Sequence, residues 1–403
     1  MRNQDICTIK FNIMNEFLLN DTPVKVWAKY IDPHAWKEID NISRLPFVYH
    51  HLAFMPDVHG GMGMPIGGVL ATRRVVVPNA VGVDIGCGMC AIKTNIIADE
   101  IPRQLIREKI VSGIRERIPL GMEHHKELLD ESLMPQGHDI DKLRVVSQQY
   151  TSARRQIGTL GGGNHFIELQ KDEEGYMWIM LHSGSRNLGK QVGDYYNKLA
   201  KELNSMYFAG INPEWQMHFL PLGSKECAAY WKEMSYCIDF AFCNRKLMMD
   251  RIMEVLVDAV PQIEFEPMIN IAHNYAAWEN HYGHDVIVHR KGAVRARAGE
   301  VGIIPGSQGT SSYIVEGLGC PESFMSSSHG AGRLMSRKEA IRTLSLEKEI
   351  KMLDDKGIIH GIRCANHLDE AASAYKDIDE VMANQQDLVK ILTKLSPIAV
   401  VKG

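Results

Sequence analysis

The chain has 403 residues, 45% of them hydrophobic, and a formal charge of −4. That is enough apolar side chain for a full core, which excludes an intrinsically disordered protein, and no apolar run reaches the roughly 20 residues of a membrane span. The mild acidity does not announce a nucleic-acid binder, but local basic groups such as Arg73-Arg74, Arg154-Arg155 and His289-Arg290-Lys291 leave phosphate recognition open.

In chain order, the segment Met1-Arg2-Asn3-Gln4-Asp5 lacks the apolar stretch of a signal peptide, and the eight cysteines have no framework spacing, so a cytoplasmic protein is expected. Apolar, β-branched runs predict strands at 68–77, 80–86, 176–182, 285–289 and 301–304. Apolar residues recurring at three- and four-residue spacing predict helices at 102–118, 190–206, 225–258, 336–354 and 377–394. The polar, proline-bearing segments 119–143 and 208–224 are expected as surface insertions. Elements in this order predict an α+β fold, and polar motifs spread from residue 57 to residue 402 predict one large domain, 1–403, with its site assembled from distant segments.

The densest motif is Val81-Gly82-Val83-Asp84-Ile85-Gly86-Cys87-Gly88. Its glycines permit close backbone approach, and its carboxylate and thiol together suit a borderline divalent metal. A lone Asp-x-x-Cys is more often a tight turn with a small buried cysteine, so the reading depends on partners. His165 after three glycines, His182 at a strand end and His273 in Asn270-Ile271-Ala272-His273 are the candidates. Three imidazoles with Asp84 and Cys87 would supply enough donors for two metals if the sulfur bridges.

His329, before Gly330-Ala331-Gly332-Arg333, has small neighbours that admit a phosphate, and Arg333 offers a planar fork to phosphate oxygens. That context suits a nucleophile forming a phosphoramidate with a nucleotide. The loops 292–297 and 304–312 offer backbone N–H groups and hydroxyls without matching a P-loop. Cys87-Gly88-Met89-Cys90 has redox spacing but lacks the surrounding βαβ pattern.

The blocks Met55-Pro56-Asp57-Val58-His59-Gly60, the 81–88 run, Gly158-Thr159-Leu160-Gly161-Gly162-Gly163-Asn164-His165-Phe166-Ile167-Glu168, Leu181-His182-Ser183-Gly184-Ser185-Arg186, Ser328-His329-Gly330-Ala331-Gly332-Arg333, Ala374-Tyr375-Lys376-Asp377-Ile378-Asp379 and Val401-Lys402-Gly403 resemble, in the same order, the RtcB family of GTP-dependent RNA-splicing ligases. The resemblance implies mixed sheets surrounded by helices, with a central metal and nucleotide cleft. It implies two manganese ions bridged by Cys87, with Asp84 and His165 on one and His182 and His273 on the other. It further implies that His329 is the guanylylated nucleophile, oriented by Asp57, and that Asn164, Glu168, Ser307, Ser312, Arg333, Tyr375 and Lys402 contact GMP. The implied substrates are GTP and RNA bearing a 3′-phosphate or 2′,3′-cyclic phosphate end and a 5′-hydroxyl end, with any accessory activator unknown. Within the resemblance, residues 369–373 lack the proline often found before the tyrosine. Two rival readings are a two-metal phosphoesterase without ligation and an RNA-end-binding protein without catalysis.

Overall fold

The computed structural model describes residues 14–403. Two sheets organise it. The first has six strands in the order Asn15–Leu19, Thr22–Val26, Val48–Met62, Met64–Thr72, His284–Lys291, Asn274–His281, and only the Thr22–Val26 to Val48–Met62 pairing is parallel. The second has seven antiparallel strands in the order Ile269–Ala272, Gly88–Ile97, Tyr176–Ser183, Phe166–Lys171, Val389–Lys402, Ser312–Gly317, Val301–Ile304. This is the mixed α+β architecture expected.

One face of the seven-stranded sheet turns Ile92, Ile167, Leu169, Ile179 and Leu181 onto the helix Lys225–Ala259, where Met248, Met249 and Ile252 complete a dry core. Such a layer excludes water from one side of each strand and so fixes which side chains point to the other. The odd residues before His182, Met177, Ile179 and Leu181, are committed to this core, so His182 itself faces the opposite side. His273 is the hinge between Ile269–Ala272, in one sheet, and Asn274–His281, in the other. The functional side chains gather at that junction.

Four expectations are corrected. The strand expected over 68–77 is two, Met64–Thr72 and Val75–Val76, broken at Arg74, whose φ is 67°. No strand covers 80–86: a 3-10 turn at Pro78–Ala80 runs into an irregular loop, and the strand begins at Gly88. Gly82 and Gly86 have φ of 89° and 75°, a left-handed backbone incompatible with a strand. The helix expected over 336–354 is two, Arg337–Thr343 and Leu346–Asp355, because the Ser345 hydroxyl accepts the Lys348 N–H and caps a new start. The helix expected over 377–394 stops at Ala383, and Val389–Lys402 is a strand paired with Ser312–Gly317 and Phe166–Lys171.

The two segments expected as insertions are anchored. Met134 and Leu143 enter the core beside the helices Arg186–Met206 and Lys225–Ala259. Met217 and Leu220 are buried, and Leu220–Pro221 pairs with Val75–Val76. The helix expected at 102–118 forms with a π-helical middle at Ile106–Val111.

Candidate metal and nucleotide site

The 81–87 loop is shaped by its backbone bonds. The Asp84 carbonyl accepts the Cys87 N–H at 3.1 Å, the Gly86 N–H donates to the Asn274 carbonyl at 2.8 Å, and the Cys87 carbonyl accepts the His273 N–H at 2.8 Å. Gly88 must be glycine, since a Cβ there would collide with the Ile271 carbonyl. These contacts set Asp84 and Cys87 against His273 before any side chain meets.

The donor atoms then converge. Cys87 Sγ lies 3.2 Å from His182 Nε2 and 3.5 Å from His165 Nε2, His182 Nε2 lies 3.3 Å from His273 Nε2, and Asp84 Oδ2 lies 3.1 Å from His165 Nε2. The donors form two groups, Asp84–Cys87–His165 and Cys87–His182–His273, each with its donor atoms within 4.8 Å of one another. Cys87 is common to both. His182 Nδ1–H is directed at the Asn164 carbonyl, 3.1 Å away, a bond that fixes the tautomer and frees Nε2 for the cluster.

Burial, reinforced by neighbouring imidazoles, holds His182 and His273 well below the ordinary histidine range, so both are neutral at pH 7 and have a lone pair to offer a cation. Burial would raise Asp84, but the hydrogen bond and charge of His165 prevail and bring it to about 2. Burial and then Asp84 push the Cys87 thiol well above its usual value. A cation entering this cluster displaces that proton, so its binding is coupled to pH. A thiolate, three imidazoles and a carboxylate, all directed inward, fit a pair of borderline divalent cations sharing one sulfur.

His329 stands beside the cluster, its ring centroid 4.9 Å from that of His273. Its Nδ1 is 2.6 Å from Asp57 Oδ2, the same oxygen that accepts the backbone N–H groups of His329 and Gly330 at 3.1 and 3.3 Å. Asp57 is fully buried. Burial alone would raise its pKa, but the charge and hydrogen bond of His329 hold it below the usual carboxylate value. With Nδ1 committed to Asp57, Nε2 is the nitrogen left to react.

A cavity of about 380 Å³ joins the cluster to a second set of polar groups. Asp84, Cys87, His182, His273 and His329 line it together with Asn164, Glu168, Ser307, Arg333, Tyr375 and Lys402. His165 and Asp57 sit behind the wall. Ser312 lies beneath it, accepting the Gly306 N–H at 3.2 Å and a bond from Gln170 at 3.1 Å. Burial pushes Glu168 up to about 8 against the pull of Gln170 and Lys402, and burial lowers Lys402.

The Arg333 fork does not face open space. It donates to Glu370 Oε2 at 2.9 Å, the Asp369 carbonyl at 2.7 Å and the Met335 carbonyl at 3.0 Å. Glu370 is the residue the sequence reading missed: its carboxylate also receives Arg337 Nε at 2.6 Å and the Tyr375 hydroxyl. Gln308, whose amide reaches the Glu370 carbonyl at 2.8 Å, and His59, whose Nδ1 is 2.9 Å from the Asp57 carbonyl, line the cavity too. His59 lay inside a quoted motif. Glu370 carried no signal separating it from a solvated surface acid.

Comparison with known proteins places the chain in a family. The family described as "tRNA-splicing ligase RtcB" matches residues 38–141 and 131–403. RNA-splicing ligase RtcB of Escherichia coli K12 is 38% identical over 97% of this chain and 100% of its own length. The tRNA-splicing ligases RtcB of Nanoarchaeum equitans and Thermococcus kodakarensis are each 32% identical, over 95% and 90% of this chain and 96% and 90% of their own lengths. With matches of this extent, and the conjunction of cluster and buried Asp57–His329 pair already described, the chain belongs to the RtcB family of RNA-splicing ligases.

Proposed function

We propose that this chain is a manganese- and GTP-dependent RNA ligase that joins a 3′-phosphate or 2′,3′-cyclic phosphate end to a 5′-hydroxyl end through a His329–GMP intermediate. Family membership supports RNA ligation. The observation that carries the finer reading is one cavity in which an imidazole oriented through Nδ1 adjoins a donor cluster able to take two cations. Asp84, Cys87 and His165 would hold one ion and Cys87, His182 and His273 the other. Bound there, the ions would neutralise phosphate charge and activate the attacking oxygen.

The residues divide the remaining work. His329 Nε2 attacks the α-phosphorus of GTP, forming a P–N bond as the bond to pyrophosphate breaks, while Asp57 holds the ring and stabilises its positive charge. The RNA 3′-phosphate, freed first from any cyclic ester by water, then takes GMP from the imidazole. The 5′-hydroxyl attacks that activated phosphate, and GMP leaves. Glu168, Asn164, Ser307, Tyr375 and Lys402 form the GMP pocket, while Ser312 acts on it from beneath and Arg333 through Glu370 and Tyr375. The reading includes a cytoplasmic site of action, supported by the seven unpaired cysteines among the described residues. No described helix is long and apolar enough to cross a membrane.

Incubation with manganese and α-labelled GTP, then denaturation, should leave an acid-labile, base-stable label on the protein. Absence of label on the wild type would count for the two-metal phosphoesterase. Label surviving in His329→Ala would overturn the assigned nucleophile.

A further inference from the structure

The helix Lys225–Ala259 contributes no donor to the cluster and no residue to the cavity wall. Two adjacent residues at its middle, both fully buried, are nevertheless tied to every segment that carries a donor. Asn244 Oδ1 accepts the N–H groups of Gly158 and Thr159 at 2.7 and 3.2 Å, and its Nδ2 donates to Ser183 Oγ at 3.2 Å and the Gly184 carbonyl at 3.1 Å. Arg245 Nη1 donates to the Gly86 carbonyl at 2.8 Å and the Ser183 carbonyl at 2.9 Å, and its Nε donates to Asn270 Oδ1 at 2.7 Å.

The backbone is pressed onto this helix at both residues' ends. A Cβ on Gly86 would stand 2.9 Å from Ile238 Cα, and one on Gly158 would stand 2.7 Å from Leu247 Cδ2. Gly184 abuts the Asp84 carboxylate so closely that a side chain there would collide with it. The bonds therefore sort into two sets. Asn244 joins the backbone of the loop leading to His165 with that of Gly184, the neighbour of Asp84, and meets the His182 segment through the Ser183 hydroxyl alone. Arg245 joins the peptide before Cys87, the peptide after His182 and the strand leading to His273.

We propose that Asn244 and Arg245 are positioning residues that divide the donor cluster between them, Asn244 setting the Asp84–Cys87–His165 half and Arg245 the Cys87–His182–His273 half. This rests on reading the cluster as a two-cation site. Metal coordination tolerates displacements of only about 0.2 Å, and loss of an outer hydrogen-bonding partner typically costs about 10–100-fold in affinity. Each residue holds the backbone of segments that lead to its own half's donors, so the loss should fall on one half of the cluster.

The test titrates the metal-free full-length protein with cobalt(II), reading bound equivalents by equilibrium dialysis and the thiolate-to-cobalt charge-transfer band by absorption. Wild type should bind two equivalents. Asn244→Ala should keep one at wild-type affinity and weaken the other about 10–100-fold, with the spectrum of His165→Ala. Arg245→Lys, which keeps the charge and loses the fork, should reproduce the spectrum of His182→Ala. If Asn244→Ala does not fold, Asn244→Ser is read in its place. Folded variants that bind two equivalents as wild type does, or that weaken both equivalents alike, overturn the division. Wild type binding fewer than two equivalents instead overturns the two-cation reading on which the division stands.

Discussion

Asp57 Oδ2 and His329 Nδ1 lie 2.6 Å apart with the carboxylate fully buried, so one oxygen fixes both the tautomer and the orientation of the proposed nucleophile. Because that oxygen also accepts two backbone N–H groups, the loop carrying His329 cannot turn without breaking all three bonds. Asp57→Asn retains an acceptor and loses the charge. The rate of GMP labelling should fall steeply, by up to about 10⁴-fold, the loss seen when the carboxylate behind a catalytic histidine is changed to the amide. Cobalt stoichiometry should stay at that of wild type. A labelling rate unchanged by the substitution would leave Asp57 without an orienting role.

Cys87 belongs to both donor groups, whereas each histidine belongs to one. Cys87→Ala should therefore abolish tight binding of both cations, and His165→Ala or His273→Ala should leave one. Metal analysis after dialysis distinguishes these outcomes, and equal loss in all three variants would contradict the bridge. Chelation of wild type should stop GMP labelling, with manganese restoring it.

Glu370 joins three residues of the cavity wall: Arg333, Arg337 and Tyr375. Glu370→Gln keeps the shape and removes the charge that two guanidiniums share, at a cost of about 1–3 kcal/mol for a buried charged hydrogen bond. Because Arg333 and Tyr375 would then lose their anchor, the KM for GTP in the labelling reaction should rise about tenfold or more, with cobalt binding unaffected. An unaltered KM would make Glu370 a purely structural ion-pair partner.

The sequence revealed chemistry more readily than backbone. Asp84, Cys87 and the three histidines could be singled out because glycine, a strand end or a known motif flanks each one, and the fold brings all five together. The same glycines were misread for conformation: Val81, Val83 and Ile85 look like a strand, but the left-handed Gly82 and Gly86 turn the chain into a loop. For 377–394, Ile378, Val381 and Met382 have helical spacing, and the strand that follows is decided by partners 72 and more residues away, from the Gly317–Val389 pair onward, which no local pattern records. Arg333 looked like a phosphate fork because its acceptors, above all Glu370, are themselves recognisable only after folding.

Glu168 makes a pH prediction with a definite sign. It is buried, receives a 2.6 Å bond from Gln170, and is pushed by burial to about 8. In the unfolded chain the same carboxyl ionises near about 4.3. Between these values the folded protein holds a proton that the unfolded chain has released, so this group's contribution to stability is complete below about 4.3 and is lost as pH rises to about 8. Glu168→Gln removes the titration. The difference in Tm between wild type and Glu168→Gln should therefore move against the wild type by several degrees across that window and level off above it. GTP should flatten the decline, because a guanine edge offers N–H donors that favour the ionised carboxylate. A difference in Tm independent of pH would show that Glu168 is already ionised in the nucleotide-free protein, and a slope insensitive to GTP would remove it from the base-binding end of the pocket.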